Sequence, residues 1–152
     1  MMFRGARYEV RGARILCYQK ANNMNDFYYR KVDAYQLAKE LTKYVYLLLR
    51  KYPTEERHAL TDQTRRAAIS VPANIAEGLG RFAIKERIHF LDIAYGSLTE
   101  LLCEIEISHD NSYITDEEFA HVDVLASRVS MTIYGLKKSL EVKLSKQNNN
   151  PE

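Results

Sequence analysis

Four lines of apolar residues, each repeating at steps of three and four, restrict the fold of this chain more than any other feature. That spacing gathers side chains on one face of an α-helix, and such faces are stable only when they cover one another. The first segment runs from about Phe27 to Tyr52, with Ala34, Leu37, Ala38, Leu41, Val45, Leu48, Leu49 and Tyr52 on its stripe. Pro53 ends it, because the residue before a proline is pushed out of the helical region. The second begins at Glu55 or Leu60 and reaches Leu79, with Leu60, Thr64, Ala67, Ala68, Val71, Ile75 and Leu79 facing one way and Gly78 and Gly80 as stop signals. The third, about Ala83 to Ser108, carries Ile84, Ile88, Leu91, Tyr95, Leu98, Leu102 and Ile105. The fourth, about Asp116 to Leu144, carries Phe119, Val122, Ala126, Val129, Ile133, Leu136 and Leu140. Thr115 and Glu118 predict a capping box at its start. Short connections join the segments, so the expected fold is all-α, an antiparallel up-down-up-down four-helix bundle.

The bundle is expected over residues 24–146, preceded by a flexible basic extension, residues 1–23, and followed by a disordered tail, residues 147–152. Met24 is a candidate start, since the helical pattern begins just after it. No apolar run approaches the roughly 18 residues of a membrane span. Cys17 and Cys103 match no metal or redox spacing, which points to a reduced, cytoplasmic setting. Cys103 reads as a small core residue.

The net charge of +2 conceals a gradient: residues 1–51 hold 11 basic and 4 acidic side chains, residues 100–152 hold 5 and 10. A basic front and an acidic back suit a nucleic-acid face, or self-association through opposite charges. Five of the basic residues lie in residues 1–23, so a nucleic-acid reading of the bundle must rest on clustering rather than on net charge.

The run Arg65-Arg66-Ala67-Ala68-Ile69-Ser70-Val71-Pro72-Ala73-Asn74-Ile75-Ala76-Glu77-Gly78, followed by Gly80-Arg81, Lys85-Glu86, Phe90-Leu91 and Ala94-Tyr95-Gly96-Ser97-Leu98-Thr99-Glu100-Leu101, resembles the signature of a bacterial four-helix-bundle family encoded in intervening sequences of 23S ribosomal RNA genes. The resemblance covers about Phe27 to Leu140. It implies a ring-shaped homopentamer and no catalytic activity; no cofactor is expected. A related branch, the accessory variability determinant of diversity-generating retroelements, binds nucleic acid and a reverse transcriptase. Ala83 departs from the pattern, standing where the family usually has serine or threonine as a helix cap.

Pro72 removes an N–H that would bond the Ala68 carbonyl, so a kink is expected there, with Pro72, Asn74 and Glu77 shaping the bundle or an oligomer contact. Basic clustering is the other signal. Arg81, Lys85 and Arg87 gather at the turn into the third helix and are candidates for phosphate contact, as are Arg65 and Arg66. The structural alternative is a solvated face, with Arg66 pairing to Glu77 or Glu100. Glu86/His89 and Glu118/His121 imitate di-iron motifs, but one helix length separates them by roughly 30 Å, so no metal site is expected. His58 and His109 are expected in solvated turns. No triad or phosphate loop occurs. Extra apolar residues on the third helix (Phe90, Ile93, Ala94, Leu101) and 11 tyrosines point to a subunit interface or to base stacking.

Overall fold

The computed structural model of the chain describes residues 27–149. The expectations for residues 1–23, for Met24 and for residues 150–152 lie outside them. Four α-helices account for most of the described residues: α1 Asp33–Leu48, α2 Leu60–Gly80, α3 Ile84–Asp110 and α4 Asp116–Asn149. No strand occurs among the described residues.

The first segment is not one helix. Tyr28–Lys31 and Leu49–Lys51 are separate 3-10 turns flanking α1. Val32 is extended (ψ 127°) and breaks the first junction, while Tyr52 (ψ 145°) takes the extended conformation that Pro53 imposes. Thr54–His58 forms another 3-10 turn, so α2 starts at Leu60. At the far end α4 continues to Asn149, so Gln147, Asn148 and Asn149 extend the helix rather than forming a tail.

Contacts between helices run in opposite senses along the chain. Ser70 meets Ser97, while further along α2 Gly78 meets Phe90. Asp92 pairs with Lys137, and later on α3 His109 bonds Asp116. Tyr44 lies on His121, and Lys51 pairs with Glu118. This is the pattern of antiparallel neighbours. α2 and α3 pack most intimately, because Gly78 lets the helices close up. A Cβ at Gly78 would stand 2.8 Å from the Phe90 Cβ and 3.2 Å from the Arg87 carbonyl.

The core holds the expected lines of α1, α2 and α4. On α3 the buried line is Leu91, Ala94, Leu98, Leu101 and Ile105, joined by Ser97 and Ser108. Tyr95, expected in the seam, is half exposed. Small residues at 94, 97 and 108 allow close approach, and a tyrosine hydroxyl there would need a buried partner. The same rotation places Cys103 at the surface rather than in the core.

Pro72 is buried within an unbroken α2. The Ala68 carbonyl it leaves free accepts a hydrogen bond from the Thr42 hydroxyl of α1, at 2.7 Å. A buried carbonyl without such a donor would cost about 1–3 kcal/mol. The proline therefore ties α2 to α1 through a hydroxyl.

The helix ends are closed by side chains and turns. Thr115 accepts from the Glu118 N–H at 3.2 Å, and Glu118 accepts from the Thr115 N–H at 3.1 Å, completing the capping box. Ser112 adopts a positive φ of 61° after α3, and the Tyr113 N–H reaches back to the Ser108 carbonyl, a Schellman closure in which glycine is usual. α3 begins at Ala83 with no side-chain cap, as its residue type dictates.

Candidate nucleic-acid interface

The turn between α2 and α3 is held by three hydrogen bonds. The Arg81 N–H donates to Gly78, the Arg87 N–H donates to Ala83, and the Arg87 Nε donates to the Arg81 carbonyl at 2.7 Å. Arg81 forms an ion pair with Glu77 and lies over the Phe90 ring, 4.7 Å from its centroid. Glu77 is thereby assigned to the turn, not to Arg66. Arg87 is half-buried, and Lys85 is exposed with no ion-pair partner among the described residues. Of the three, Lys85 is the side chain most available to a phosphate.

Arg65 and Arg66 do not join this turn. Arg65 pairs with Asp62 at 2.7 Å, and Arg66 donates to the Gln63 carbonyl oxygen of its side chain. Arg66 and Arg81 stand fifteen positions apart, about 22 Å along a helix axis. Asn74 donates to the Ser70 carbonyl at 2.8 Å and to its hydroxyl at 2.9 Å, and the Ser70 hydroxyl meets that of Ser97 at 2.7 Å. Ser70 thus links α2 to α3, and Asn74 holds Ser70 from within α2.

Helix direction sorts charge that the linear sequence leaves mixed. One half of the bundle comprises residues 27–41, 70–97 and 129–149, and carries ten Lys or Arg against six Asp or Glu. The other half, residues 42–69 and 98–128, carries seven against eleven. The basic half contains the Arg81 turn. It also contains Lys138, Lys143 and Lys146 from the last turns of α4, all exposed. These lysines lie in the most acidic third of the sequence. The signal that could have found them is register: Asp92 on Lys137 fixes the end of α4 beside the start of α3.

The opposite half is more tightly bonded across helices. The Tyr52 hydroxyl donates to the buried Ser108 hydroxyl, and Tyr113 donates to Glu56. His109 stacks on Phe119 (4.7 Å, 20°) and bonds Asp116, so it is a half-buried, partnered residue at the α3–α4 turn. Glu104 is only 8 % exposed, and its Oε2 has no hydrogen-bond partner. Its carboxyl is pushed up to about 7, first by burial and then by Glu100, with Arg66 pulling the other way.

Apolar surface concentrates on the outer side of α4, where Val124, Met131 and Tyr134 follow one another at helical spacing, extended by Val142. Tyr95 of α3 joins Met131 and Tyr134 around a shallow cavity of about 330 Å³. Ala94 and Leu101, expected as surplus on α3, belong to the core instead. Among the described residues no group of three or more His, Cys, Asp or Glu could hold a metal ion. No helix among them is long and apolar enough to cross a membrane.

A comparison with curated proteins finds no match. Residues 30–135 match the family model described as 23S rRNA-intervening sequence protein, which spans α1 through most of α4, and the chain belongs to that family.

Proposed function

We propose that this chain is a non-enzymatic, cytoplasmic, self-assembling bundle protein that binds structured RNA, or another nucleic acid, through its basic half. The observation that carries the reading is the sorting of ten basic side chains against six acidic ones into one end of the molecule. The mechanism is electrostatic: lysines and arginines displace counterions from phosphates, with little sequence readout. The outer face of α4 supplies the contact between copies. A five-membered ring, as the family resemblance implies, would present five such ends to one RNA and multiply a modest single-site affinity.

The exposed Val124–Tyr134 stripe also favours a second reading, in which that face docks a partner protein such as a reverse transcriptase and the chain acts as an adaptor. Both readings are tested by titrating a labelled RNA hairpin with the full chain across salt concentrations. Replacing Lys85, Lys143 and Lys146 by glutamine together should weaken binding by about tenfold or more and lower the slope of log K against log salt by about two to three. Replacing Arg50 and Arg57 in the opposite half should change little. Equal effects from the two sets would refute the basic-end site. Absent binding by the wild-type chain would favour the adaptor.

A further inference from the structure

Phe82 stands at the apex of the α2–α3 turn with 98 % of its surface exposed, the largest exposure among the exposed large apolar residues. A single exposed apolar side chain is ordinary. This one is set apart by its mounting and its neighbours. The three hydrogen bonds of the turn hold the backbone on either side of it. Arg81, directly before it, is drawn away onto Phe90 and Glu77, which leaves the Phe82 ring uncovered. Lys85, three residues on, is exposed with no ion-pair partner among the described residues, and the surrounding half of the bundle is the basic one.

We propose that Phe82 is a stacking platform for an unpaired nucleobase. This rests on the nucleic-acid reading above and adds a selection to it. Phosphate contacts alone accept any nucleic acid, whereas a ring presented at a protruding turn gains only from a base whose face is open. In a paired helix the faces are already stacked and the ring finds no partner. The basic end therefore prefers loops, bulges and single strands over fully paired RNA. A rigid turn strengthens the effect, since little freedom is lost when the base arrives.

The test uses the full chain with two labelled RNAs carrying equal numbers of phosphates: a hairpin with a wide unpaired loop and a blunt duplex. Phe82→Ala should weaken loop binding by at least about fivefold, the lower range for losing one stacked base, and leave duplex binding within about twofold. Phe82→Leu, apolar but without a π-face, should behave like Phe82→Ala. Phe82→Trp should retain loop binding. The chain has no other tryptophan, so its fluorescence reports the site directly and should change on adding loop RNA. If both RNAs bind and Phe82→Ala weakens them equally or not at all, stacking is wrong while the nucleic-acid reading stands. If neither RNA binds the wild-type chain, both fail. A Phe82→Trp signal that shifts with protein concentration alone would make the ring a protein contact and overturn the proposal.

Discussion

The two halves of the bundle spend their polar groups differently. In the half around the α3–α4 turn, side chains bond one another across helices: Tyr52 to Ser108, Tyr113 to Glu56, His109 to Asp116, Lys51 to Glu118. In the half around the α2–α3 turn, the cross-helix side-chain bonds are Ser70 to Ser97 and Lys137 to Asp92, while Lys85, Lys138, Lys143 and Lys146 are exposed, and the helices close through backbone proximity at Gly78 and the bonded turn. Satisfied polar networks hold a fold, and unspent charge can serve a ligand. The difference teaches that charge count alone does not locate a binding end; what matters is which charges the fold has already used.

That contrast can be broken most sharply at Gly78. Gly78→Val puts carbon against the Phe90 Cβ and the Arg87 carbonyl, neither of which can swing aside. It should destabilise the protein by about 3 kcal/mol, at the upper end for overpacking, as read by urea denaturation. A loss below about 1 kcal/mol would mean that α2 and α3 can separate without penalty, and the basic end would not be built on their close approach.

Next in size is Glu104. A carboxyl raised to about 7 keeps its proton in the folded state where the unfolded chain has lost it. Stability from this group is therefore full at low pH and is lost as pH rises through about 7. Glu104→Gln cannot ionise. It should be more stable than wild type by about 2 kcal/mol above pH 8 and nearly equal to it below pH 5, in paired thermal melts. A gap that does not vary with pH would show that burial does not raise the Glu104 carboxyl.

The smallest effect is expected at the α4 cap. Thr115→Ala removes the acceptor for the Glu118 N–H and should cost about 1 kcal/mol by denaturant titration, with RNA affinity unchanged. A change in affinity would show that the two ends are coupled.

Much of this was legible in the sequence. The Thr115–Glu118 box, the break at Pro53 and the core lines of α1, α2 and α4 are local features, written in consecutive residues. The α2–α3 turn could be named as a basic cluster for the same reason. What was not legible has a common cause: it depends on the rotation or alignment of one helix against another. Tyr95 and Ala94 are adjacent and both apolar enough to belong to a seam, and only the neighbouring helices select between them. Arg65 and Arg66 share a helix with the turn but not an end of the molecule.

The sequence by itself therefore determined four helices, the capping box of α4 and most of their buried faces, because periodicity and chain-terminating residues act within a few positions of themselves. Only the tertiary structure decided that Thr42 satisfies the carbonyl freed by Pro72, that Cys103 faces out, and that lysines from the acidic third of the chain stand at the same end of the bundle as the Arg81 turn. Those outcomes depend on how antiparallel helices rotate and align, and close packing settles that through contacts between residues distant in sequence.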